Sequence, residues 1–195
     1  MEIQGQILVY FLIIIIYFLV KRRKNLTTKN IFANIGFSIS FPKFYIIGIG
    51  ISLLTVVVVI LLYLLFPIEI SLLKNTTFTH YQNYEITLLT ISIIFFRELL
   101  FIAFWEELFF RGLIGGILFR TYSFKIANSL QTLIFLIPHL LLLIISIELL
   151  PFLLVIIVSG WLLGWLRYKS NSILPGSIAH ALTNTIAVIL MLYNQ

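Results

Sequence analysis

Ionisable side chains are few in this 195-residue chain, and those in its second half are spaced for chemistry. Glu106, His139, His180 and Asn184 stand inside long apolar runs. A charge is costly there, and an ionisable group is a functional candidate by default. One carboxylate, two imidazoles and a carboxamide can activate water and hold a tetrahedral oxyanion. Glu106 would take the proton, His139 would orient the water, and His180 with Asn184 would donate hydrogen bonds to the oxyanion. A second chemistry uses the same groups, because Glu106, His139 and His180 are the donor types of a hydrolytic zinc site. Spacing alone does not choose between them.

Neighbouring residues sort by helical geometry. Glu107 and Arg111 are four apart with the acid first, the favourable order for an ion pair. Glu106 is turned about 100° from Glu107, so one carboxylate supports the structure and the other is free to face a cavity. Arg97 and Glu98 are adjacent, hence on different faces, and their spacing is open to two readings, substrate contact or a snorkelling interfacial pair. Asn128, Gln131, Thr132, Phe135 and His139 form one stripe, which in a membrane helix predicts the wall of a wet cavity. Pro138 takes the usual donor away from the Ile134 carbonyl and bends the helix beside His139. Ser177, His180 and Asn184 share a face. Counted from the basic end of each span, Glu106 and His139 lie about 20 Å deep but His180 only about 8 Å, so the last helix must start deeper.

Several hydrolytic chemistries are excluded. All seven acids are glutamates and there is no cysteine, so an aspartyl dyad, a thiolate zinc site and a cysteine nucleophile are impossible. None of His80, His139 and His180 opens an HExxH helix, and no GxSG occurs.

The elements that position these residues are membrane spans. The chain is 61% apolar and 10% charged, against about 25% charged in a soluble domain. Its mean hydropathy is +1.12. Apolar runs predict an all-α bundle of six transmembrane helices over 1–20, 44–66, 86–119, 126–147, 152–166 and 175–192. The first lacks the basic start and small-residue cleavage site of a signal peptide and reads as a permanent helix. The third would be about 50 Å long as a straight helix, so it must tilt, kink or lie partly along the surface. Residues 1–195 read as one membrane domain, with a motif-bearing core at about 86–192.

Basic residues crowd alternate loops. Lys21 to Lys43, the first connection, carries six and no acid, and Arg120, Lys125, Arg167 and Lys169 follow in the third and fifth. The loops between them hold Glu69, Lys74, Glu85 and Glu148. This alternation places both termini outside the cytoplasm in a multi-pass plasma-membrane protein. It also assigns the net charge of +6 to topology rather than to nucleic acid. The partners expected are the bilayer and a peptide or protein substrate within it.

Glu106-Glu107-Leu108-Phe109-Phe110-Arg111 resembles the EExxxR motif of the CAAX protease and bacteriocin-processing (Abi) family. Phe135-Leu136-Ile137-Pro138-His139 is similar to its FxxxH motif, and His180-Ala181-Leu182-Thr183-Asn184 to its HxxxN motif. The three stand in family order on three successive polar-bearing spans. Leu136 replaces a common glycine, and Pro138 is unusual for the family. The resemblance implies an intramembrane endopeptidase in which Glu106 activates water with His139, while His180 and Asn184 hold the oxyanion. Glu107, Arg111 and Phe135 would support them. Members are commonly labelled metalloproteases, although the glutamate mechanism needs no metal. Eukaryotic members trim prenylated tails. Many bacterial members act in bacteriocin self-immunity or peptide maturation, and the Ile-, Leu-, Asn- and Lys-rich composition is similar to that of low-GC bacteria.

Two rival readings keep the fold. A non-catalytic immunity or scaffold protein would bind a peptide or membrane partner and tolerate glutamine at position 106. A proton-coupled transporter would also use a lone membrane glutamate, but no inverted repeat is present. Gly160-Trp161-Leu162-Leu163-Gly164 is a GxxxG, which predicts close contact with a neighbouring helix.

Overall fold

Apolar runs bounded by capping residues make this chain entirely helical. The computed structural model describes residues 3–69, 81 and 83–193, with side chains from position 5 onward. Lys74 and His80 lie outside the described residues. Six helical stretches are long and apolar enough to cross a membrane, and no strand occurs among the described residues.

Helix α1 spans Ile3–Arg23. A short helix, α2 (Thr28–Asn34), follows it where only a basic loop is expected, with the Thr27 hydroxyl accepting from the Asn30 N–H at its start. Helix α3 (Pro42–Leu65) begins on a proline, whose missing N–H costs nothing in a first turn. Helices α7 (Phe124–His139), α9 (Phe152–Ser170) and α10 (Leu174–Tyr193) complete the core, and Asn171 ends α9 in the left-handed conformation. Between α7 and α9 lie only α8 (Leu142–Ile145) and a single 3-10 turn, Ile147–Leu149.

The long third block is helical without interruption from Leu88 to Thr121, but it changes pitch. It runs as α4 (Leu88–Glu98), a π-helical stretch (Leu99–Ala103), α5 (Phe104–Glu106), a second π-helical stretch (Glu107–Ile114) and α6 (Gly115–Thr121). In π turns the hydrogen bonds span five residues instead of four, so each turn takes in more of the chain. The climb from Thr121 to Glu106 is therefore shorter than a straight α-helix gives. That narrows the depth mismatch with His180 without removing it.

Helix α10 is the hub, packed on α3, α4 and α9, while α7 packs on α6 and α9. Helix α1 is peripheral, and most of its apolar side chains from Leu8 to Val20 face outward. The basic connections meet at one end of the bundle. Arg120 Nη1 donates to the Asn34 carbonyl at 2.9 Å, Ser40 Oγ to the Ser170 carbonyl at 3.2 Å, and the Ile173 N–H to Gly36 at 2.9 Å.

The polar stripe of α7 differs from expectation. Asn128 and Gln131 are 0% exposed and form a dry seam against α9 rather than a cavity wall. Gln131 Nε2 donates to the Gly160 carbonyl at 3.1 Å and Asn128 Nδ2 to the Trp161 carbonyl at 3.0 Å. The glycines of the GxxxG make room for them: a methyl group on Gly164 would overlap Asn128 Oδ1 and Gln131 Nε2.

Candidate active site

Glu106 ends α5 and Glu107 opens the second π stretch, and α10 presents His180 to both. His180 Nδ1 donates to Glu107 Oε1 at 3.1 Å, since a carboxylate only accepts. Its Nε2 stands 3.9 Å from Glu106 Oε2, too far for a direct hydrogen bond. The two carboxylates thus meet opposite edges of one imidazole. Helical rotation separates them, as the sequence argument requires, but it does not give them unrelated surroundings.

Glu107 is fully buried and paired with Arg111 Nη1 at 3.1 Å. It therefore holds the arginine and the histidine at once. The Arg111 guanidinium lies 3.7 Å from the centroid of the Phe135 ring, a cation–π contact in a dry site. Phe135 in turn packs on His139, with ring centroids 4.5 Å apart, and presents its edge to His180 at 6.3 Å.

His139 is the last residue of α7. Its Nδ1 donates to the Phe135 carbonyl at 2.8 Å, because a carbonyl only accepts. That leaves Nε2 with its lone pair in the neutral ring. The regular helix α7 ends here, one residue after Pro138, and Leu140 and Leu141 keep a helical backbone into α8, so the span runs on to Ile145 as expected.

Three polar contributions were not visible in the sequence reading. Glu98 is 2% exposed, so it is no snorkelling residue. Its Oε2 accepts from Asn184 Nδ2 at 3.1 Å and its Oε1 from the Tyr81 hydroxyl at 3.1 Å. Arg97 Nη1 donates to that same hydroxyl at 2.7 Å. Burial pushes the Tyr81 hydroxyl up to about 12, against the pull of its Arg97 bond. Finally, α1 brings in Gln6, whose Nε2 donates to Glu106 Oε1 at 3.4 Å and to the Tyr10 hydroxyl at 2.6 Å. Glu106 therefore has a neighbour from a helix that carries no motif. A glutamate next to an arginine and a lone glutamine in an apolar run were the available signals, and neither names its partner.

A cavity of about 360 Å³ opens beside this cluster between α3, α7, α9 and α10. His139, His180 and Asn184 line it; Glu106 and Glu98 stand behind the last two rather than on its wall. Among the described residues no three histidine or glutamate side chains gather closely enough to hold a metal ion.

Residues 88–186, half of the chain, match the family of type II CAAX prenyl endopeptidases, Rce1-like. The chain belongs to that family. The matched stretch begins at α4 and reaches into α10, so it includes all three motifs and Glu98, while α1 to α3 lie outside it. No curated protein and no solved structure matches the chain.

Proposed function

We propose that this CAAX-type family member is an active intramembrane endopeptidase that cleaves by glutamate-activated water without a metal ion. The observation that carries the reading is His180 set between two carboxylates, committed to Glu107 on one side and short of contact with Glu106 on the other. A water can bridge a polar gap of that kind.

In this mechanism Glu106 accepts one water proton, and His139 Nε2 accepts a hydrogen bond from the other. The water oxygen bonds to the scissile carbonyl carbon, and the carbonyl oxygen takes the negative charge. Asn184 has one N–H of its carboxamide committed to Glu98 and offers the second to that oxyanion. His180, with its Nδ1–H held by Glu107, can donate from Nε2 to the oxyanion only as the imidazolium; in the neutral ring Nε2 accepts from the water instead. Collapse of the intermediate breaks the C–N bond, and the proton on Glu106 passes to the leaving amine.

For the substrate we propose a bacterial membrane peptide, cut in maturation or in bacteriocin self-immunity. The Ile-, Leu-, Asn- and Lys-rich composition supports this. The test is reconstitution with membrane peptides and mass spectrometry of the products. Glu106→Gln keeps size and hydrogen-bonding shape but cannot accept the proton, so it is expected to fold normally and lose about 10²–10⁴ in cleavage rate. Undiminished cleavage by the folded variant would end the proposal. Elemental analysis is expected to find no stoichiometric zinc; zinc that disappears on His139→Ala would replace this mechanism with a metal-based one.

A further inference from the structure

The end of the bundle where the basic connections meet holds a buried cation with no counter-charge among the described residues. Arg167 lies in the last turn of α9 and is only 6% exposed. Its guanidinium rests against Gly36, where a side chain would overlap it, and where a φ of +69° also calls for glycine. The buried Nε finds no hydrogen-bond partner. No carboxylate pairs with Arg167 among the described residues, and the charge that acts on it is a second cation, Arg120, in the last turn of α6. Arg120 is exposed and donates to the Asn34 carbonyl, so both guanidiniums meet the turn that follows α2. Elsewhere the fold meets a buried arginine with a carboxylate, as Glu107 meets Arg111. Here it does not. An unpaired buried charge is costly, and a like charge beside it adds repulsion, so the arrangement fits an anion supplied from outside.

The surroundings indicate which anion. Phe119 and Tyr168, the chain neighbours of the two arginines, pack with ring centroids 5.3 Å apart, and Phe124 stands 4.7 Å from Tyr168. Aromatic rings beside basic residues at the ends of membrane helices mark the headgroup level. Guanidinium forks match phosphate oxygens, and basic pockets between membrane helices bind anionic headgroups. We infer that Arg167 and Arg120 together hold the phosphate of one anionic phospholipid, which ties α6, α9 and the turn after α2 to one another. None of these residues belongs to the candidate active site, so the inference stands apart from the peptidase reading.

The test is thermal unfolding of the purified full chain in a neutral detergent, with phosphatidylglycerol, phosphatidylcholine or inorganic phosphate added at equal concentration. Saturating phosphatidylglycerol is expected to raise Tm by about 5–10 °C, the shift produced by a ligand at roughly a hundred times its Kd. Phosphatidylcholine carries the same phosphate without net charge and should raise Tm far less. Inorganic phosphate lacks the acyl chains and should also fall well short. Arg167→Gln and Arg120→Gln should each remove most of the gain, whereas Lys169→Gln, at an exposed neighbouring position, should keep it. The quantity read is the gain and not the starting Tm, so a destabilised variant still answers. If Arg167→Gln does not fold, the exposed Arg120→Gln carries the test. Equal gains from the two lipids, or a gain that both arginine variants retain, would overturn the site. A full gain from inorganic phosphate would overturn the lipid as its occupant. An equal loss in Lys169→Gln would reduce the effect to general surface charge and overturn the site as well.

Discussion

Asn128, Gln131 and Thr132 on α7 and the cluster of Glu106, His139, His180 and Asn184 use similar polar groups in the same bundle to opposite ends. The α7 groups spend their donors on helix carbonyls: Gln131 on Gly160, Asn128 on Trp161, and the Thr132 hydroxyl on the Asn128 carbonyl. They are shut away from the cavity and glue two helices together. In the cluster three groups are held by one edge only, Asn184 by Glu98, His180 by Glu107 and His139 by the Phe135 carbonyl, and all three line the cavity, with Glu106 behind His180. A polar side chain in a membrane helix is thus structural when its neighbour is small enough to expose backbone. It is available for chemistry when its neighbour fixes only part of it.

Five substitutions would break or sharpen this contrast. Glu107→Ala strips both Arg111 and His180 of their partner. Breaking a buried pair costs about 3–5 kcal/mol, so this variant is expected to be the least stable in thermal unfolding. Arg111→Ala leaves Glu107 its histidine and should cost less, and equal losses would show that the His180 bond contributes nothing. Asn184→Ala should leave the melting temperature nearly unchanged while peptide cleavage falls about 10²–10³, the usual effect of one oxyanion donor. A large fall in stability instead would move Asn184 into the structural class. Gly164→Ala drives a methyl group into the seam and should lower stability by about 1–3 kcal/mol through overpacking, with turnover by the folded fraction retained. The mildest is Gln131→Leu, which removes a buried carboxamide but strands the Gly160 carbonyl. A loss near 1 kcal/mol is expected, without effect on cleavage. Loss of cleavage by a folded Gln131→Leu protein would contradict a purely structural seam.

The six spans were legible because the length of an apolar run measures a membrane directly, and the observed helices fall within a few residues of those runs. Glu107–Arg111 was legible because i, i+4 neighbours share a face. The seam was misread because periodicity reports which residues share a face and not what covers it. The covering glycines stood elsewhere in the chain, noticed but unassigned. Helix α2 escaped notice because a seven-residue helix in a basic loop leaves almost no hydrophobic period. Glu98 was placed at the surface because it adjoins an arginine, whereas its real partners, Asn184 and Tyr81, are remote or local only through the fold. The π stretches left no mark, since no residue type announces a wider turn.

Those wide turns make the length of one segment a quantity the protein has to keep. Glu98 reaches Asn184 and Glu106 stands beside His180, and the seven residues between the two glutamates include the first π stretch. Removing one residue from Leu99–Ala103 would rotate everything beyond it by about 100° relative to α4. One of the two glutamates would then turn away from α10, whichever the bundle chose to keep. A loop absorbs gain or loss of a residue by changing its path, but here the count itself sets the angle between two working side chains. Between positions 98 and 106 an exchange of side chain can be neutral, whereas a change of length by even one residue should never be.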